Sequence, residues 1–378
     1  MTTVLVDLLF FTGTRGGMES YVRQLYPEIA KQRPNWRLVA LVSQETNLDL
    51  ISWFPGEIVQ MKIQNKSPFR WAFGEIISVN RFAKKIEANL IHSPANIGPI
   101  WGRTAVVLTL QDLLSFEKPQ LFGQLTGVFL RTLIRMSANH AKSILTISQF
   151  SKLSIEKHLS PTKKKIKVSE LAGGRVSNTP KKDNFSNQNR AKAQLLSGGN
   201  RLPHKNFEKL IQSLALIPEP ERPLLVITGG SDNDPLAKLV TELALESYVE
   251  LKSWIPQEQI EELYADSTIY VFPTLFEGFG LPILEAMSRG CPVICSDIPV
   301  LREVGGEAAI YVDTNSPAEL AKVITQTLRD TSTLDVLASR GIQRASEFTW
   351  ERTAEKTITV FEECLPNQEF GLLRNEGH

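Results

Sequence analysis

The sequence predicts an α/β protein made of two doubly wound domains, and three observations carry that expectation. The chain has 378 residues, too many for one ordinary domain and suited to two of about 180. Short, unbroken apolar runs such as Val4–Leu9, Leu38–Val42 and Val293–Cys295 alternate with longer amphipathic stretches, the pattern of parallel strands covered on both faces. In each half a strand runs into a glycine-rich turn and then a helix, the place where such sheets cradle an anion.

Composition narrows the class. Hydrophobic residues make up 42% of the chain and charged residues 22%, as in soluble globular proteins. Met1–Phe10 is apolar but short, with neither a basic leader nor a small-residue cleavage site, so no signal peptide is expected. No apolar run approaches the ~18 to 20 residues of a spanning helix. Cys291 and Cys295 flank one strand, roughly 13 Å apart if extended, too far to bridge. With Cys364 they read as buried small hydrophobes in a reducing compartment. The five histidines have no metal-ligand spacing, and no repeat, low-complexity tract or nucleic-acid motif occurs.

Near-neutrality conceals an asymmetry. Residues 1–175 hold 23 Lys and Arg against 12 Asp and Glu, a net of +11, whereas the remainder holds 19 against 29, a net of −10, which together give the overall +1. Two readings stay open: the halves attract each other, or the first half meets an anionic membrane surface or a phosphate-bearing acceptor.

In chain order, Val4–Leu9 is the first strand. It enters Phe11-Thr-Gly-Thr-Arg-Gly-Gly17 and an amphipathic helix from about Met18 to Lys31. The glycines at 13, 16 and 17 are not the dinucleotide G-x-G-x-x-G. Leu38–Val42 is a second strand. A helical stretch from Arg70 to Lys85 leads to a short strand ending at His92, and Ala105–Leu110 is another strand, followed by Gln111-Asp112. Pro119–Lys142 reads as one helix with Phe122, Phe129, Leu130 and Leu133 as its apolar set and Arg131 and Arg135 as added charge. It covers the sheet or, with Lys163–Lys165, touches a membrane. Ser143–Ile147 and Ile166–Val168 close the first half.

Residues 176–192 are polar and aperiodic, a linker between a first domain at 1–175 and a second at 193–347. Strand Gln194–Leu196 and helix His204–Ile217 flank a turn carrying Arg201 and Lys205. Cations at a helix start oppose its dipole, which makes sense if a dianionic ligand sits between them. Asp232-Asn-Asp234 is a D-x-D by letter but lies among turn-forming residues after a strand, and reads as a loop. Two helices span Asn315 to Arg344, and a last helix covers Phe348–Leu365 in a terminal segment, 348–378, whose end looks frayed.

The densest signal is Val271–Tyr311. A β-rich run ends at Pro273, Gly278 and Gly280 make a turn, Pro282 suits a first helical turn, and Gly290 and Pro292 stop the helix. Glu277 and Glu285 frame this unit, with the backbone amides from about Leu281 to Leu284 pointing forward as an anion site. The segment Glu277-Gly-Phe-Gly-Leu-Pro…Glu285, continued by Ala-Met-Ser-Arg-Gly-Cys-Pro-Val-Ile-Cys-Ser-Asp, resembles the Glu-x7-Glu signature of the retaining glycosyltransferases of family 4, the group 1 glycosyl transferase domain.

That resemblance implies two Rossmann-like domains facing across a cleft, the B-type glycosyltransferase fold, with the last helix crossing back to the first domain. The implied enzyme moves a sugar from a nucleotide-sugar to a saccharide or lipid-linked acceptor, with retained configuration and without metal or cofactor. Lys205, Arg201 and the helix amides at Leu281 take the leaving diphosphate, Glu277 faces the sugar and Glu285 holds the ribose hydroxyls. Gly16, Gly17, Gly278, Phe279 and Gly280 line the donor, and the backbone at Ile255 meets the base. His92, Gln111 and Asp112 fall on the sugar or acceptor side, although family members usually carry His where this chain has Gln111, which cannot titrate. The family's frequent Pro-Asn-Gly after the last strand of the first half is replaced by Leu171-Ala-Gly-Gly174. The resulting location is cytoplasmic, with peripheral attachment to the inner membrane face as an extension. A nicotinamide dehydrogenase, a B-fold epimerase, phosphorylase or hydrolase, and a non-catalytic sugar-nucleotide binder are the rival readings.

Overall fold

The computed structural model describes residues 1–13, 16–63, 68–159, 166–173 and 193–365. The linker 176–192, Lys163–Lys165 and the tail from 366 lie outside them. The chain divides into two compact units: Met1–Ile147 with Ser151–Ser169 and the residues from Trp350 on, and Ser148–Phe150 with Glu170–Thr349.

The first unit is one parallel sheet of β1 (Thr3–Asp7), β2 (Arg37–Ser43), β3 (Glu57–Met61), β4 (Leu90–Ser93), β5 (Ala105–Leu110), β6 (Ser143–Thr146) and β7 (Ile166–Val168), in the order 3-2-1-4-5-6-7. The strand order reverses between β1 and β4, which is where doubly wound sheets open for ligands beyond their carboxyl ends. Central strands are continuous apolar runs because helices cover both faces, and every residue of β1 is buried. The edge strand β3 carries Glu57 and Gln60 and is only partly covered, so it lacks the unbroken run that marks the others.

The stretch Pro119–Lys142 is not one helix. A short 3-10 turn, Pro119–Leu121, is followed by Phe122 and Gly123 in extended conformation, and the helix proper is Gln124–His140. The last helix, Trp350–Cys364, belongs to the first unit. Its Phe361 is fully buried, stacked 6.3 Å from Trp36 and edge-on at 4.9 Å to His92. Ser169 Oγ donates to its Thr353 carbonyl at 3.0 Å.

The second unit repeats the plan. Its parallel strands β8 (Gln194–Gly198), β9 (Leu224–Gly230), β10 (Val249–Ser253), β11 (Ile269–Phe272), β12 (Val293–Ser296) and β13 (Ala309–Val312) lie in the order 10-9-8-11-12-13. Here the reversal falls between β8 and β11. The core is built from Leu195, Leu210, Leu225, Ile227, Val271 and Ile294, all fully buried. The helix after β8 starts at Phe207 rather than His204 because Asn206 is left-handed at φ 59°, a conformation Asn tolerates, and its Nδ2 donates to the Thr314 carbonyl at 3.0 Å. All three cysteines are buried.

Candidate active site

The two chain segments that diverge at the second unit's reversal point are tied together by backbone. Leu275 N donates to the His204 carbonyl at 2.7 Å, and Thr274 Oγ1 reaches the same oxygen at 3.3 Å. This joins the loop after β11 to the loop after β8. It brings Lys205 Nζ 2.5 Å from Glu277 Oε1, with the two side chains 13% and 16% exposed. The ammonium also stands over the Phe272 ring, 5.4 Å from its centroid. A cation and a carboxylate therefore share one partly desolvated spot at the carboxyl ends of β8 and β11.

From Glu277 the turn leads into the helix Leu281–Ser288. The Gly278 carbonyl accepts from Ser148 Oγ at 2.6 Å, and Phe279 is buried edge-on to Phe348 at 6.0 Å. Gly280 has φ 106°, and a Cβ there would lie 2.6 Å from Leu301, so glycine is required on two counts. The expectation that amides from Leu281 to Leu284 all point forward needs correction. Pro282 has no N–H and Ile283 N donates to the Gly280 carbonyl at 3.1 Å, so neither is offered to an anion.

Glu285, in the second turn of that helix, is half-buried. Loss of surrounding water pushes its carboxyl up to about 7, against the partial relief of Arg289 and of the Tyr264 hydroxyl. Tyr264 Oη donates to Glu285 Oε2 at 3.2 Å and packs against Tyr270 with ring centroids 5.3 Å apart. Nothing in the sequence flags Tyr264, which lies on a separate helix, Gln257–Asp266. Arg289, four residues after Glu285, does carry a readable helix-pair signal. Ile255 is half-buried just beyond β10, next to Trp254, which is 50% exposed.

Arg201 is differently placed. Its Nε donates to Asp234 Oδ2 at 2.8 Å and its Nη2 lies 2.7 Å from the same oxygen. Nη1 donates to the carbonyls of Gly199 and Thr228, both at 2.9 Å, and Nη2 to that of Ile227 at 3.3 Å. A guanidinium has five N–H donors; four make these hydrogen bonds, and Nη2 also lies in ion-pair contact with Asp234. The structure thus separates Arg201 from Lys205: the lysine faces Glu277, while the arginine is sealed among backbone carbonyls. Asp234, the second acid of the D-x-D, is spent on Arg201 and on the Leu236 amide, 3.0 Å from its Oδ1.

In the first unit, Gly16 (φ 56°, ψ −130°) precedes the helix Gly17–Gln32, and a Cβ on Gly17 would meet no atom within 4 Å. The turn is braced by Glu19, which the sequence reading overlooked. Its buried carboxylate accepts from the amides of Thr12 at 2.7 Å and Gly13 at 3.0 Å. A Glu in the first helical turn behind a glycine loop is the available signal.

His92 requires a correction. It is fully buried, Nδ1 lies 2.7 Å from the Tyr26 hydroxyl and Nε2 lies 2.8 Å from Thr109 Oγ1. Burial drives its value down to about 3, so it is a neutral core histidine with both nitrogens engaged and not a sugar-side group. Gln111 is also buried. Its backbone N–H donates to Asn96 Oδ1 at 2.7 Å, and its side-chain Nε2 donates to the Pro94 carbonyl at 3.2 Å. Asp112 is half-exposed and turns its Oδ1 to the Leu114 amide at 2.9 Å.

Known proteins resemble this chain in sequence and in fold. Residues 178–344 match the family described as glycosyl transferases group 1. The chain is 32% identical over 265 residues to O-antigen chain mannosyltransferase B of Escherichia coli, covering 68% of this chain and 69% of that protein. It is 31% identical over 207 residues to O-antigen chain mannosyltransferase RfbU of Salmonella typhimurium, covering 54% and 56%. Among solved structures, sucrose-phosphate synthase from Thermosynechococcus elongatus superposes with a TM-score of 0.79 at 18% identity, over 96% of this chain and 99% of that one. Anabaena Alr3699/HepE, in complex with UDP and glucose, gives 0.74 at 19% identity over 96% and 99%. With two parallel doubly wound sheets and neighbours of this kind, the fold is the B-type glycosyltransferase fold, and the chain belongs to the group 1 glycosyl transferases.

Proposed function

We propose that this glycosyltransferase moves a hexose, mannose before glucose, from a nucleotide-sugar to a saccharide or lipid-linked acceptor with retained configuration and without metal, in the synthesis of a surface polysaccharide. The observation that carries the donor site is the meeting of Lys205 and Glu277 beside the helix end at Leu281. Lys205 and the Leu281 amide take the charge that develops on the departing diphosphate. Such charge-assisted hydrogen bonds contribute about 1.5–3 kcal/mol each, and they lower the barrier when they strengthen as the bond breaks. Glu277, freed as the phosphate draws off Lys205, faces the sugar and stabilises its oxocarbenium character. Glu285 accepts from the ribose hydroxyls. Mannose comes first because the curated relatives named above are O-antigen chain mannosyltransferases. Glucose stays second because a structural neighbour was solved with UDP-glucose.

The test is transfer from a panel of nucleotide-sugars to lipid-linked and soluble saccharide acceptors, with and without a chelator. Anomeric configuration is read by NMR. Mannosyl transfer with retention that survives chelation is expected. Inversion, or activity lost on chelation and restored by manganese or magnesium, overturns the corresponding part. Rapid release of free sugar without acceptor would instead indicate a hydrolase.

A further inference from the structure

We infer that Arg201 and Asp234 form a positioning clamp that sets Lys205 in place, and that Arg201 itself does not touch the donor. The inference rests on the proposed role of Lys205. Its ground is the set of partners already engaged: in a guanidinium whose side chain is 9% exposed, Nε donates to Asp234, Nη1 donates to two backbone carbonyls and Nη2 to a third, and Nη2 also lies against the Asp234 carboxylate. What the clamp holds is the backbone that carries the lysine. Arg201 fixes the Gly199 carbonyl, and a Cβ built on Gly199 (φ 136°) would sit 3.6 Å from Lys205 Cε and 3.8 Å from Cδ, so the lysine stem lies along this residue.

The same clamp accounts for two sequence features the donor site does not use. Gly229 and Gly230 allow close approach: a Cβ on Gly229 would lie 2.6 Å from the Gly199 carbonyl oxygen, and one on Gly230 2.2 Å from Asp234 Oδ2 and 2.8 Å from Arg201 Nη2. The D-x-D acid Asp234 is the counterion. It neutralises the buried arginine and, through the Leu236 amide, fixes the turn after β9. A lysine at 201 keeps the charge but loses the planar fork that spans four acceptors.

The experiment compares Arg201→Lys and Asp234→Asn, alone and in the Lys205→Ala background, by kcat, donor KM and nucleoside diphosphate affinity. Thermal unfolding confirms that each variant is folded, and Asp234→Asn, which retains an acceptor, serves if Arg201→Lys does not fold. Each single variant should lose up to about 10²-fold in kcat, the scale of a roughly 1 Å misplacement, with a smaller change in donor KM. In the Lys205→Ala background the same substitutions should change kcat by less than about twofold, because a residue acting only through another is non-additive with it. Losses that multiply in that background would mean that Arg201 meets the ligand directly and would overturn the clamp. Folded single variants with wild-type kcat would overturn it too. Wild-type turnover in Lys205→Ala alone marks a different failure, that of the donor-site reading, and leaves the clamp without a target.

Discussion

Lys205 Nζ and Glu277 Oε1 are 2.5 Å apart although 72 positions separate the residues in the chain. The pair neutralises itself, so a diphosphate competes with Glu277 for the ammonium. Lys205→Ala is expected to lose about 10²–10³ in turnover, the scale for removing one donor to developing charge. Glu277→Gln should also lose turnover yet bind free nucleoside diphosphate more tightly, because Lys205 no longer has a charged partner. Steady-state kinetics and calorimetric titration check both. Weaker diphosphate binding by Glu277→Gln would show that the carboxylate orients the lysine instead of competing for it.

Glu285 links pH to stability. Its folded-state value is raised to about 7 from the ordinary 4.5, so the fold retains a proton that the unfolded chain has released. The associated stability is present below about pH 4.5 and is lost as pH rises through 7. Glu285→Gln should gain on wild type between pH 5 and pH 8, by at most about 3 kcal/mol given the part of the side chain that water still reaches. Denaturant midpoints at the two pH values measure this. Donor affinity should inflect near pH 7 in the wild type and not in the variant.

His92 behaves in the opposite sense. With its value lowered to about 3 from 6.5, the unfolded chain takes up a proton that the fold refuses, and stability falls as pH drops below about 6.5. His92→Ala leaves a cavity and deprives the Tyr26 and Thr109 hydroxyls of their imidazole partner, and should cost about 2–5 kcal/mol. Donor KM in the folded fraction should be unchanged. A raised KM without loss of stability would restore a sugar-side role.

Membrane contact is the fourth expectation. On the helix Gln124–His140, Leu125, Val128 and Met136 are 87%, 56% and 43% exposed, at spacings that share one side. Arg135 is exposed beside them, whereas Arg131 turns inward to the Ser115 carbonyl at 3.0 Å. Among the described residues no helix is long and apolar enough to cross a membrane, so attachment would be interfacial. The whole chain should co-sediment with anionic vesicles at low salt and be released as the screening length falls below ~10 Å, with about 1 kcal/mol per basic residue near the surface. A fragment of residues 1–175 is unsuitable because the first unit includes Trp350–Cys364. No pelleting with anionic lipid at low salt would point to a soluble acceptor.

What the sequence determined by itself is local. The strand, glycine turn and helix from Ile269 to Ser288 and the buried runs of β1, β2 and β12 follow from short-range rules: which residues accept a positive φ, which cannot donate an N–H, and where apolar residues run unbroken. The family-bearing segment around Glu277 and Glu285 lies within that range. Edge strands such as β3 escaped because their exposed sides carry Glu57 and Gln60.

Only the tertiary structure decided which charged groups meet. Arg201 and Lys205 are four positions apart in the same turn, yet one is engaged by Asp234 and three carbonyls and the other faces Glu277. His92 lies in the strand β4, and its ring turns into a core completed by Phe361, from the far end of the chain. Hydrogen-bond capacity is a residue's own property, whereas the acceptors that exhaust it come from strands set side by side by crossover connections. That pairing, between β8 and β9 for Arg201 and between β8 and β11 for Lys205, is the step at which a polar residue becomes either a strut or a ligand-facing group.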